Sequence, residues 1–142
     1  MIERLEGVAL VAGRAAGPPL VLDEPLSFWG GVDAATGTIV DTHHPQVGAS
    51  IVGKVLVLPG GRGSSSSSSV VAEVIRNAVG PAAILLAVCD PIIALGCLVA
   101  HELYGTAIPV AVLDREAYAA CRSATHLAVE VDVARAVIDL AC

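Results

Sequence analysis

Lys54-Val-Leu-Val-Leu58, Pro59-Gly-Gly-Arg-Gly63, six serines (Ser64 to Ser69) and Val70 to Ala78 follow one another without a break, and these 25 residues decide the fold. The first run is aliphatic and β-branched throughout, the pattern of a strand buried on both faces. Proline and three glycines then stop it. After the serines, Val70, Val71, Val74, Ile75 and Ala78 recur at helical spacing and form an apolar stripe. Residues 54–78 therefore read as strand, glycine turn and helix.

Toward the C-terminus the unit recurs. Ala82 to Val88 reads as a second buried strand. Asp90-Pro91 opens a helix over Ile92 to Tyr104, with proline where a missing N–H costs nothing and Gly105 as the stop. Ile108 to Leu113 is a third buried strand, and Asp114 caps a short helix over Arg115 to Cys121. Leu127 to Val131 is a last strand, and Asp132 is expected to cap a helix over Val133 to Leu140. Toward the N-terminus, Gly7 to Val11 and Leu20 to Asp23 read as strands. Pro25 to Gly53 reads as a long loop with one short strand, Thr38 to Asp41. Alternating strands and helices imply a parallel or mixed sheet with crossover helices. The expected fold is α/β, a central sheet with flanking short helices and a β-rich N-terminal part, in one domain over residues 1–142.

Composition bounds the function. Apolar residues make up 55% of the 142, charged residues 15% and aromatics 3%, so the core must come from Val, Ile, Leu and Ala. A net charge of −6, with 8 Lys and Arg against 14 Asp and Glu, gives no footprint for nucleic acid. The mean hydropathy of +0.75 directs attention to Ala78 to Ala100 as a membrane span. Gly80-Pro81 near its start and Asp90-Pro91 at its middle divide it, so no membrane partner is expected. High hydrophobicity then implies a surface covered by another protein. Met1 to Gly7 carries Glu3, Arg4 and Glu6 and does not read as a signal sequence, so the expected compartment is the cytoplasm. Cys89, Cys97, Cys121 and Cys142 form no CxxC pair and have no histidine at ligand spacing. All four are expected to be buried small apolar residues, and the chain is expected to hold no metal or cofactor alone.

One or two serines can cap a helix; six require another explanation. Gly60, Gly61 and Gly63 allow close approach by another molecule, and a helix N-terminus offers free N–H donors to an anion. Arg62 adds a guanidinium able to grip a carboxylate at two points. Gly61, Arg62, Gly63, Ser64 and Ser65 are thus the candidate anion-binding residues. The run lacks the lysine and spacing of a phosphate loop and the flanking glycines of a hydrolase elbow. A second unusual segment holds the only Phe and the only Trp, Phe28 and Trp29, followed by His43-His44-Pro45. Trp29 suits a site wall or subunit contact, or a plug over one end of the sheet. His43 and His44 suit acid–base work or loop anchoring.

FWGGVD (residues 28–33), HHP (43–45) and PGGRGS (59–64), in that order, resemble the small, swivelling domain of the aconitase X family, over roughly Leu22 to Asp114. The resemblance implies a swivelling β/β/α domain that closes over substrate in a dehydratase. It implies a large partner subunit that binds an iron–sulfur cluster through its own cysteines. It also implies that the serine after Gly-Arg-Gly, here Ser64, is the proton acceptor, with Ser65, one step along the serine run, as the alternative. Family members act on mevalonate 5-phosphate or on cis-3-hydroxy-L-proline. The FWGGVD and PGGRGS spellings sit closer to the second, while a separate small chain is the habit of the first, so both substrates stand. The expectation is a hydro-lyase subunit, inactive without its large subunit and acting on a small carboxylate. The alternative is a non-catalytic module that binds an anionic metabolite or orders a subunit interface.

Overall fold

The structure is a computed structural model that describes residues 2–141. Four parallel strands form its middle: β3 (Pro19–Val21), β6 (Val55–Leu58), β7 (Ala83–Leu86) and β8 (Val110–Val112), adjacent in the order β3-β6-β7-β8. Every residue of β6 and β7 is buried, which is why both read as unbroken apolar runs.

Side chains of these strands alternate between two interiors. Leu56, Leu58, Ile84, Leu86 and Val110 pack with Val71, Val74 and Ile75 of α2 (Ser67–Arg76) and with Ile93 and Cys97 of α3 (Pro91–Tyr104). Val55, Val57, Ala83, Leu85 and Ala111 face the other way. They meet Leu127 and Val129 of β9 (His126–Val131), Ile138 of β10 (Ala136–Ala141), and Ala117 and Cys121 of α4 (Arg115–Arg122). The result is three layers: a helix pair, a parallel sheet and an antiparallel sheet. The expected α/β architecture with a central sheet and short helices is the one observed.

The antiparallel layer has the order β2-β9-β10-β1, with β2 at Gly13–Gly17 and β1 at Ile2–Val11. β1 joins the halves. Residues up to Gly7 pair with β10, and Val8 to Val11 pair with β8 across a register shift. The strand expected at Gly7 to Val11 thus begins at Ile2. β2, with sequence GRAAG, has little strand propensity of its own and was not expected; its pairing with β9 from Gly13–Val131 to Gly17–Leu127 imposes it.

Residues 133–140 correct the expected last helix. Asp132 is not a helix cap there. Its Oδ1 accepts from the N–H groups of Ala134 and Arg135 at 2.7 and 2.9 Å, closing a tight turn into β10. Burial of Ala136, Ile138 and Leu140, with Val137 and Asp139 half-buried between them, has the period of a strand.

The long segment before β6 holds α1 (Phe28–Gly31), a short kinked turn, and the ribbon β4 (Val32–Asp33) with β5 (Thr38–Ile39). α3 runs as expected from the Asp90 cap to Gly105, whose φ is +73°. It is apolar on both sides: Leu95, Leu98, Val99 and Leu103 lie exposed opposite its core face. Among the described residues, no helix is long and apolar enough to cross a membrane.

Cys97 and Cys121 are buried, and burial pushes their thiols up to about 12 and about 11. Cys89 is exposed, against the expectation that it would be buried; it lies three residues past the end of β7, in the loop that leads to α3. Cys142 lies outside the described residues.

Candidate active site

β3, β6 and β7 are parallel neighbours, so their C-terminal ends lie on one edge and their following loops converge there. The three loops are Leu22 to Ser27, Pro59 to Ser66 and Ala87 to Asp90. They interlock by backbone. Leu26 N–H donates to Gly60 O at 3.2 Å, and Arg62 N–H donates to Leu26 O at 3.2 Å. Gly61 N–H donates to Asp90 Oδ2 at 2.8 Å.

A pocket of about 120 Å³ lies at this junction, lined chiefly by Leu26, Phe28, Gly61 to Ser64, Ser67 and Asp90. On the other side of the Gly61–Asp90 contact lies a shallower recess of about 280 Å³ with Pro25, Gly60, Val88 and Cys89 on its walls. Gly63 has φ +92°, and a Cβ there would stand 2.7 Å from Ser27 Oγ, so both backbone and space require glycine.

The serine run is a wound turn leading into α2. N–H groups of Ser67, Ser68 and Ser69 donate to the carbonyls of Ser64, Ser65 and Ser66 at 3.0 to 3.2 Å, the three-residue spacing of a 3₁₀ turn. Ser66, at the N-cap, makes no side-chain cap bond. Ser64 Oγ accepts from Ser66 N–H at 3.0 Å. The N–H groups of Gly63, Ser64 and Ser65 have no partner among the described residues, which leaves three donors at the head of α2. Ser67 is buried, and its Oγ accepts from Trp29 N–H at 3.1 Å, pinning the FWGG segment over the helix start.

Of the residues expected at the site, Gly61, Arg62, Gly63 and Ser64 meet at one pocket. Ser65 sits one step along the turn, exposed, its carbonyl taken by Ser68 N–H and Oγ. Trp29 follows the pocket-lining Phe28 and is 60% exposed. His43 is exposed on the following loop. His44 is buried; its Nδ1 accepts from Gln46 N–H at 3.0 Å, which leaves Nε2 as the donor to Glu24 O at 3.1 Å. Its place is behind the site, fixing the chain at Glu24. That glutamate was invisible in the sequence pattern, yet its Oε1 lies 3.7 Å from Arg62 Nη2, both groups about half exposed. Ser67 and Asp90 were missed as well. The signal for Asp90 was available: it closes the loop after β7, the strand next to β6, and neighbouring parallel strands bring their following loops together.

A family model described as the aconitase X swivel domain matches residues 4–140. The chain belongs to the aconitase X swivel-domain family. It is 50% identical over 104 residues to the cis-3-hydroxy-L-proline dehydratase of Pseudomonas aeruginosa, an alignment that covers 73% of this chain and 18% of that protein. It is 50% identical over 88 residues to the phosphomevalonate dehydratase small subunit of Methanothermobacter thermautotrophicus, covering 62% of this chain and 67% of that subunit. The fold agrees with the crystal structure of Thermococcus kodakaraensis aconitase X in its holo form, with TM-score 0.81 and 32% identity over 97% of this chain and 98% of that one. The chain spans about a fifth of the length of the cis-3-hydroxy-L-proline dehydratases it matches.

The family resemblance implies an iron–sulfur cluster. Among the described residues, no group of three or more His, Cys, Asp or Glu side chains is arranged to hold a metal. Cys89 at the recess is a lone thiol, so these residues do not fit a cluster.

Proposed function

We propose that this chain is the small, swivelling part of a hydro-lyase that removes water from a 3-hydroxy carboxylic acid, with Ser64 as proton acceptor. The cluster is assigned to a large partner subunit, whose surface completes the site. The observation that carries the reading is that Ser64 and Arg62 both line the small pocket at the head of α2.

Both relatives' substrates share one connectivity: a carboxylate, a C–H next to it, and a hydroxyl on the following carbon. Loss of water breaks that C–H bond, forms a C=C bond and releases the hydroxyl. Ser64 receives the proton. A serine hydroxyl is a weak base, and three features here favour its anionic oxygen. Ser66 N–H already donates to it, the α2 N-terminus supplies a positive field, and Arg62 lies two residues away. Arg62 and the free N–H groups of Gly63 to Ser65 suit the substrate carboxylate.

Half a site is what the geometry supports. Arg62, Gly63 and Ser64 are exposed, and the rim carries apolar surface in Trp29 and Val88, 60% and 66% exposed. A covering protein would remove both from water and raise the strength of every charge inside. Arg62 is meanwhile occupied by Glu24, which argues against tight anion capture by the chain alone.

The test is turnover of cis-3-hydroxy-L-proline and of mevalonate 5-phosphate by this chain purified with its large subunit. Ser64→Ala is expected to lower kcat by roughly 10²–10⁴-fold, the usual worth of a positioned base. Ser65→Ala should cost far less. Turnover retained in Ser64→Ala would reject the assignment.

A further inference from the structure

We propose that Asp90 is a positioning residue for this site: one carboxylate ties the Gly60–Ser64 turn to the start of α3 and thereby sets where Ser64 and Arg62 stand. The inference rests on the reading of Ser64 and Arg62 given above.

Asp90 uses its two oxygens for different elements. Oδ1 accepts from Ile92 N–H and Ile93 N–H at 2.9 and 3.1 Å, capping α3 after a proline that has no N–H to offer. Oδ2 accepts from Gly61 N–H at 2.8 Å, a residue 29 positions earlier. Capping alone asks for one acceptor, and Ser, Thr or Asn supplies it as well. Only a carboxylate has acceptors on both sides and no donor. An amide in its place serves the helix or the turn, not both.

Gly61 is shaped by the same contact, since a Cβ there would collide with Asp90 Oδ2. The bond forms the wall shared by the pocket and the recess. Besides this bond, Leu26 N–H holds Gly60 O at 3.2 Å, and Ser67 N–H and Ser66 N–H hold Ser64 O and Oγ at 3.0 Å. Arg62 N–H reaches Leu26 O at 3.2 Å, whereas the N–H groups of Gly63, Ser64 and Ser65 are free among the described residues. Releasing Gly61 removes the bond that ties the middle of this segment to α3, and a displacement of its functional side chains by near 1 Å costs about 10²-fold in rate.

Asp90→Asn separates the two roles, because asparagine caps a helix as well as aspartate does. In the complex with the large subunit, Asp90→Asn is expected to keep the melting temperature within about 2 °C of wild type and to lower kcat tenfold or more, with the shape of the pH–rate profile unchanged. Asp90→Ala should lose both activity and melting temperature. In the isolated chain, hydrogen exchange at the Gly61 amide should speed up at least tenfold in Asp90→Asn while the Ile92 and Ile93 amides stay protected. Wild-type kcat in Asp90→Asn would reduce Asp90 to a helix cap and overturn the proposal. A vanished limb of the pH profile would overturn it too, by making Asp90 a proton carrier. If the wild-type complex dehydrates neither substrate, the functional reading fails while amide exchange still decides whether Asp90 holds the turn.

Discussion

Arg62 shows how little one residue's neighbours in sequence say about its neighbours in space. Its place between Gly61 and Gly63 marks it as a candidate anion clamp, yet its actual counter-ion is Glu24, 38 positions away. At 3.7 Å and half exposed, that pair contributes under about 1 kcal/mol to stability. A guanidinium–carboxylate contact to substrate in a sealed site is worth about 1.5–3 kcal/mol. Arg62→Ala is therefore expected to raise KM for the carboxylate substrate roughly ten- to hundredfold in the assembled enzyme, with an unchanged melting temperature. Initial-rate kinetics beside a thermal melt would check this, and an equal KM would remove Arg62 from the binding role. Ser64 and Arg62 stood out as candidates because unusual residues are visible in a chain, and the structure brings both to one pocket. Glu24, Ser67 and Asp90 were not, because ordinary residues acquire a role only through the loops they meet.

Among the elements, the 132–141 segment is the informative error. Asp132 before an apolar stretch suits a helix cap and suits a hairpin turn equally, since both use a carboxylate oxygen to accept from N–H groups two and three residues on. The pairing of β10 with both β1 and β9 settled the choice. The N–H groups of Arg135 and Ala134 hold the Asp132 carboxyl below its ordinary value of 3.8. A folded value below the unfolded one favours folding while the group is ionised. Its contribution is complete above about pH 5 and disappears as pH falls through 3.8 and then through the lower folded value. Thermal melts of Asp132→Ala against wild type should show their largest gap at pH 6 and a narrowing gap toward pH 2.5. A gap constant with pH would mean that the charge is not what the turn uses.

Taken whole, the molecule puts its candidate site at one edge and two of its thiols inside. Cys97 and Cys121 lie in opposite interiors, one under the helix pair and one between the sheets, so together they report on both layers. With burial raising them to about 12 and about 11, neither is a thiolate near pH 8. Iodoacetamide at that pH should label Cys89 in the native chain within minutes and leave Cys97 and Cys121 unmodified until urea unfolds the protein. Peptide mass mapping reads the three sites separately. Native labelling of Cys97 at the rate of Cys89 would contradict a closed helix-side core.

Local pattern was enough for the parts whose physics is local. The continuous apolar runs of β6 and β7, the Asp90-Pro91 start and Gly105 stop of α3, and the glycine turn before α2 all follow from burial, capping and backbone freedom within a few residues. Of the strands it missed or mistook, β2 and β10 owe their conformation to partners more than 100 positions away, which no window of sequence contains. The site divides the same way. A candidate hydroxyl and guanidinium stood within one turn of sequence; the carboxylates beside that turn, Glu24 and Asp90, became visible only when three parallel strands ended side by side, because hydrogen bonds are short and proximity is made by the fold.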